Sequence, residues 1–213
     1  MSRKRYRAIP SLALVAFVFV SGGNLAMAIE TADYDVIETD DDFELRRYAP
    51  QILAETTVNA NFDNAGNQAF RRLFNYISGA NRSQSKIAMT APVSQESSSR
   101  KIEMTAPVVQ EESGASWNVA FLVPSSFSWD TVPQPTDDSV QLRRVPERTL
   151  AALRFSGTWS EERFRDHEKQ LLAMLEARGL EVSGETIFAR YDPPFKPWFL
   201  RRNEVLIPIA PIE

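Results

Sequence analysis

The sequence predicts an α+β fold built from a duplicated β-α-β-β unit, and three features carry that expectation. The first is a short repeat. Lys86-Ile87-Ala88-Met89-Thr90-Ala91-Pro92-Val93 returns as Lys101-Ile102-Glu103-Met104-Thr105-Ala106-Pro107-Val108, identical at seven of eight positions at an offset of 15. The second is longer and fainter. Phe43-Glu44-Leu45-Arg46-Arg47-Tyr48 aligns with Val140-Gln141-Leu142-Arg143-Arg144-Val145, Leu53-Ala54 with Leu150-Ala151 and Phe62 with Trp159, all at offset 97. Beyond a helix in each half the offset becomes 101, which sets Pro92 against Pro193 and Pro107 against Pro208. The third is the order of periodicities: two-residue alternation, then a helical stripe, then alternation again, in both halves.

The strand segments follow from alternation. Phe43 and Leu45 fall on one face, as do Ile52, Ala54, Thr56 and Val58, and Trp117, Val119, Phe121 and Val123 form a two-residue stripe. The two octapeptides, joined by the polar residues 94–100, read as paired strands with a hairpin-like connection. The first helix is expected over residues 64–78 with Gly79 as its stop, and Phe70, Leu73, Phe74 and Ile77 share one side at i, i+3, i+4, i+7. The second starts after Ser160, a good N-cap followed by Glu161 and Glu162, and ends at Gly179; Phe164, Leu171 and Leu175 mark its apolar side. Residues 124–139, rich in proline, serine, threonine and aspartate, form the crossover between halves. Each half offers a sheet face and one helix, too little for its own core, so residues 29–213 are expected to fold as one domain with halves at about 33–110 and 117–210.

Residues 1–28 read as a signal peptide. Arg3, Lys4, Arg5 and Arg7 precede the apolar run at 8–20, and Ala26-Met27-Ala28 gives a small-x-small cleavage site before Ile29. Ser21-Gly22-Gly23-Asn24 ends the run short of the roughly 20 residues a spanning helix needs. The mature chain is therefore expected to be exported, periplasmic or secreted, with no membrane span and as a monomer. Cleavage leaves 20 cationic against 28 acidic side chains. That sign argues against nonspecific nucleic-acid binding and against general attraction to an anionic membrane. With no cysteine, disulfides and thiolate chemistry are excluded; with one histidine, His167, so is a His-rich metal site.

Several segments now resemble a known family. Ala69-Phe70, Leu73-Phe74-Asn75-Tyr76-Ile77, Gly79 and Asn81 lead into the first octapeptide, and Tyr191-Asp192-Pro193-Pro194-Phe195-Lys196-Pro197 precedes Arg201-Arg202-Asn203-Glu204-Val205. This order resembles the SOUL/heme-binding protein family over about residues 33–209. The resemblance implies a distorted eight-stranded antiparallel β-barrel flanked by two α-helices. It also implies non-covalent binding of heme or another porphyrin. Carried over by position, Phe70, Phe74 and Ile77 would line the site, with Lys196 and Tyr191 as polar partners. Family members that ligate iron through a first-half histidine have no counterpart here, and Asn67 and Asn75 stand where others carry basic residues; Arg71 or Arg72 could substitute.

Other roles compete. His167 could be an axial ligand from the second helix, or a half-buried histidine satisfied locally. Met89 and Met104 could be thioether ligands, or strand core. The aromatic stripe of the first helix suits ligand lining and ordinary packing alike. Asn81-Arg82-Ser83 matches a glycosylation sequon, and Arg201 to Glu204 reads as a turn with a salt bridge. Three functions follow: an extracytoplasmic tetrapyrrole carrier, buffer or scavenger; a binding module for another apolar ligand; or a small-molecule hydrolase using Glu55, Glu103 or Glu204. No catalytic motif favours the enzyme.

Overall fold

The computed structural model describes residues 30–83 and 99–211. The proposed signal peptide and the first octapeptide, with Met89 and Pro92, lie outside the described residues. The first half holds strands β1 (Tyr34–Asp40), β2 (Phe43–Tyr48) and β3 (Gln51–Val58), helix α1 (Phe62–Ile77), then β4 (Asn81–Arg82), β5 (Val108–Ser113) and β6 (Ser116–Leu122). The second holds β7 (Gln134–Pro135), β8 (Gln141–Val145), β9 (Arg148–Phe155), helix α2 (Glu161–Arg178), β10 (Ile187–Arg190), a 3-10 turn (Trp198–Leu200) and β11 (Asn203–Pro208).

Nine strands form one antiparallel sheet, ordered β1-β2-β9-β11-β10-β5-β6-β3-β8, which curls into a half-barrel; β4 and β7 pair separately. The fold is α+β and barrel-like, as the sequence predicts. Leaving β1 aside, the order is a palindrome. Exchanging β2 with β8, β9 with β3, β11 with β6 and β10 with β5 maps it onto itself, and β10 and β5 meet at the centre. Each half runs β-β-α-β-β, one strand more than the expected unit, and β1 extends the edge beyond β2. The offset of 101 does not survive this order. Pro107 precedes β5 whereas Pro208 closes β11, and those strands do not exchange.

Strand alternation divides the sheet into two differently buried faces. On one, α1 crosses β3 and β6 while α2 crosses β9 and β11. Phe43, Leu45, Ala54, Val119, Phe121 and Val205 point there with the buried sides of both helices. Phe62 stands at the centre. Its ring lies edge-on to Trp117 at 5.3 Å and Phe188 at 5.4 Å, and 5.5 Å from Phe164 of α2, so one side chain ties both helices to the sheet.

Both helices follow their end signals. Asn61 caps α1, its side-chain oxygen accepting from the Asn64 amide at 3.1 Å, and moves the start two residues ahead of the expected position. Gly179 ends α2 at φ +66°, where a Cβ would be strained. Ser160 has the extended backbone of an N-cap but makes no side-chain cap bond. The stripe of α1 needs correction. Its buried track is Phe62, Ala65, Gly66, Ala69, Leu73, Tyr76 and Ile77. Small residues bring the helix close to the sheet; at Gly66 a Cβ would lie 2.6 Å from Arg190 Nη1. Phe70 and Phe74 are thereby turned outward, 39 % and 44 % exposed.

The second octapeptide also departs from expectation. Residues 101–107 run before β5 without joining the sheet, apart from a bridge between Ala106 and Thr31. Met104 is exposed rather than strand core. Asn81 is buried; its Nδ2 donates to the Tyr76 and Arg100 carbonyls, each at 2.7 Å, so the folded sequon is closed to modification.

Phe62→Ala is expected to destabilise the fold by about 3–5 kcal/mol, the usual range for a buried phenylalanine. Urea unfolding checks this: the midpoint should fall with little change in slope. A loss under 1 kcal/mol would show that Phe62 does not join the two layers.

Candidate functional site

The second sheet face, turned away from the helices, holds a network of paired charges, whereas the helix side takes in the Arg190 guanidinium against the Phe62 and Phe164 rings. On β2, alternation turns Glu44, Arg46 and Tyr48 away from the helices. Arg46 and Glu204 of β11 are almost completely buried there and paired in a fork, Nη1 to Oε2 at 2.7 Å and Nη2 to Oε1 at 3.0 Å. Arg202 Nη2 adds a bond to Glu204 Oε1 at 2.7 Å, and the Tyr191 hydroxyl donates to Oε2 at 2.6 Å. Burial pushes the Glu204 carboxyl up, but the bonds and charges of Arg46, Tyr191 and Arg202 outweigh it and hold it below its ordinary value. Burial raises Tyr48 to about 12 despite Arg46 beside it. Alongside, Arg143 bonds Glu55 at 2.7 Å. The acids suspected for hydrolysis therefore differ: Glu204 and Glu55 are ion-paired, and Glu103 is exposed.

The outer side of α1 is a different surface. Phe70 and Phe74 stack at 5.7 Å with their planes 15° apart, and Phe70 rests edge-on upon buried Phe121. Asn67 and Arg71 lie on the same side by helical spacing and border an open trough of about 320 Å³. Arg72 is tied to β3, its Nη1 donating to Thr56 Oγ1 and to the Thr57 carbonyl, each at 3.2 Å.

A cleft of about 620 Å³ opens where the β2–β3 and β8–β9 turns meet the segment after β6. Ile52, Leu122, Val123 and Phe127 provide apolar walls, and the Arg144 guanidinium lies 4.4 Å over the Trp129 ring. Glu30, Asp33 and Glu147 also line it. Its volume is within the range of small-molecule pockets.

A family model described as SOUL heme-binding protein matches residues 29–208. The chain belongs to the SOUL heme-binding protein family. Heme-binding protein 1 of Xenopus tropicalis is 32% identical over 167 residues, covering 76% of this chain and 81% of that protein. Human Heme-binding protein 2 is 27% identical over 193 residues, covering 84% and 89%. Among solved structures, the EcmrR C-terminal domain superposes with TM-score 0.58 at 9% identity, covering 84% of this chain and 99% of that domain. A hydrolase from Listeria innocua gives 0.52 at 13%, covering 82% and 94%. At those identities the likeness is one of fold.

Against this SOUL-family frame, the expected site residues separate. Phe70 and Phe74 are together and exposed, but Ile77 is buried in the core beneath α1. Tyr191 lies across the sheet, packed with Tyr48 and Leu150 and bonded to Glu204. Lys196 belongs to the loop after β10, its Nζ held by Asp192 at 2.7 Å. The structure does not bring Tyr191 to the α1 aromatics, and Lys196 is already ion-paired. His167 satisfies itself locally: Nδ1 bonds the Arg163 carbonyl at 2.7 Å and the ring stacks on Phe155 at 3.8 Å. Among the described residues, no group of three His, Cys, Asp or Glu side chains gathers to hold a metal. The turn and salt bridge read at residues 201–204 are present, with Arg202 on Glu204. Sequence reasoning missed Arg46 as the main partner of Glu204. Alternation gave no signal for it, because a charge opposite a core-facing set is also what a solvated strand face shows.

Glu204→Gln is expected to cost about 3 kcal/mol, since it removes the buried carboxylate shared by Arg46 and Arg202 and leaves Arg46 only the half-buried Glu44, 2.7 Å from its Nε. The pH dependence has a definite sign. A carboxyl held low when folded contributes fully above its unfolded value, roughly 4.3, and loses that contribution as pH falls through the folded value. Stability profiles of wild type and Glu204→Gln should converge on acidification; a gap that stays constant down to acid unfolding would remove the carboxylate from this role.

Proposed function

We propose that the chain binds heme or another tetrapyrrole without a covalent bond, with the macrocycle against the outer side of α1. The observation that carries this is the exposed, near-parallel Phe70–Phe74 pair beside Arg71 in a SOUL-family chain. Relatives named heme-binding proteins support the ligand class. A porphyrin is a flat apolar disc with carboxylates on one edge, and an aromatic platform with a guanidinium at its border complements both parts. Covering a few hundred Å² at about 25 cal/mol per Å² gives several kcal/mol before the costs of association, enough without an iron–protein bond. Arg71 takes the cation's place expected of Lys196, which Asp192 engages.

The reading is of a carrier, buffer or scavenger rather than an enzyme. Glu204 is held ionised and saturated with partners, the opposite of the raised carboxyl a buried general acid needs. Residues 1–28 are read as an export signal, so the mature monomer acts in the periplasm or outside the cell; a family match that begins at residue 29 supports that boundary. The acidic balance of the chain supports the absence of a nucleic-acid partner. A second reading, another apolar ligand, is favoured by the 620 Å³ cleft alone.

Hemin titration followed at the Soret band tests both. Wild type should saturate, and Phe70→Ser with Phe74→Ser should weaken binding about tenfold or more, given about 1.5–3 kcal/mol per covered aromatic. His167→Ala should leave the bound band in place. No saturable shift in wild type rejects tetrapyrrole binding. Loss on Trp129→Ala with no change in the α1 double variant would move the ligand to the cleft.

A further inference from the structure

The loop between β10 and β11 exposes more apolar surface than any packing role requires. Phe195 is 86 % exposed, Trp198 55 %, Phe199 58 % and Leu200 57 %. This exposure is held in place. Pro193, Pro194 and Pro197 restrict the backbone. The Lys196 amide donates to the Pro193 carbonyl at 3.1 Å and the Leu200 amide to the Pro197 carbonyl at 2.9 Å. Arg201 braces the loop from within: Nε donates to the Lys196 carbonyl at 2.8 Å, Nη2 to the Pro194 carbonyl, and its guanidinium lies 4.4 Å from the Trp159 ring. Asp192 closes the base, accepting from the Arg202 amide and pairing with Lys196. Trp198 and Phe199 meet edge-on at 5.6 Å.

Contiguous exposed apolar surface of this kind marks an interaction site. Its shape and charge indicate the partner. The apolar side chains project from a loop rather than line a groove, which suits a deformable apolar medium more than a bound small molecule. Trp and Phe with a basic residue alongside is the composition favoured at a bilayer interface. The whole chain is at −4, yet residues 191–202 carry Lys196, Arg201 and Arg202 against Asp192 alone. With Arg202 engaged by Glu204 and Lys196 by Asp192, Arg201 leaves the loop with a local excess of one cation, a modest attraction to anionic headgroups within an acidic chain. Among the described residues, no helix is long and apolar enough to cross a membrane.

We propose that residues 193–200 form a membrane-contacting loop, seating Phe195, Trp198, Phe199 and Leu200 in the interface of an anionic phospholipid bilayer, with Lys196 and Arg201 at headgroup level. The inference is independent of the tetrapyrrole reading. It gives the molecule a defined orientation at a lipid surface.

The full chain, mixed with phosphatidylcholine–phosphatidylglycerol vesicles whose acyl chains are brominated, tests it by tryptophan quenching. Residues 1–29 contain no tryptophan, so a contact there leaves the Trp198 signal readable. Wild type should be quenched relative to unbrominated vesicles, and Trp198→Phe should lose that quenching. Phe195→Ser with Phe199→Ser should raise the lipid concentration for half-maximal quenching about tenfold or more. Pure phosphatidylcholine should quench less. Absent quenching, or equal quenching in wild type and Trp198→Phe, overturns the proposal. So does a wild-type dimer in solution that Phe195→Ser with Phe199→Ser converts to monomer while quenching is unchanged, since the patch would then belong to a second copy.

Discussion

Two helices cannot cover both faces of a nine-stranded sheet, and the rest of the molecule follows from that constraint. The helices take one side, where Phe62 locks them to Trp117 and Phe188. The other side must be buried by the sheet itself, so the sheet curls. Curling brings β2 and β11 close enough, through β9 between them, for Arg46 to reach Glu204. A self-covered concave face tolerates charge best in matched sets, and Arg46 and Arg202 against Glu204 and Glu44, with the Tyr191 hydroxyl, form one. The ion pair is a consequence of the curl and also a brake on it, because flattening would separate two buried charges.

The palindromic strand order explains how so small a core stays connected. β5 and β10 meet at the centre, while the β2–β3 and β8–β9 turns carry each half of the chain from one side of the sheet to the other. Neither half could close without the other: β9 stands between β2 and β11, and β3 between β6 and β8. The 620 Å³ cleft opens where those two turns come together.

Much of this was legible in the sequence because alternation is a local property. Phe43 and Leu45 on β2 and Trp117, Val119 and Phe121 on β6 point where their spacing says they should. The end of α2 was legible for the same reason, through Gly179, whereas the Asn61 cap went unread and α1 starts two residues earlier than its apolar stripe suggested. What the sequence concealed was depth. Periodicity placed Phe70, Leu73, Phe74 and Ile77 on one side of α1, but it could not say which part of that side meets the sheet. The answer turned on Ala65, Gly66 and Ala69, whose smallness permits close approach and rotates the two phenylalanines outward. Depth also hid Arg46, since nothing in a strand pattern distinguishes a solvated arginine from one buried opposite a glutamate 158 residues away. The proline alignment failed for a third reason: insertions between halves change offsets, while strand pairing preserves order.

Apolar and charged side chains are thus distributed in an unusual way. On the concave face buried Arg46 and Glu204 and half-buried Arg202 and Glu44 form a matched set, while large aromatics are left outside at two separate places. Neither exposed group can be dismissed as slack in the packing. Phe70 is braced on buried Phe121, and the loop bearing Phe195 and Trp198 is fixed by prolines and by Arg201 on Trp159. Leaving the exposed part of each such side chain in water forgoes a fraction of the about 1.5–3 kcal/mol that full burial would give. A chain that holds them rigidly outward keeps that free energy in reserve for something met after folding. The two groups differ in form: stacked rings on a helix side suit a flat ligand, and a projecting loop suits a soft surface. The proposed tetrapyrrole carrier would use both, one to hold the cargo and one to meet the medium that supplies or receives it.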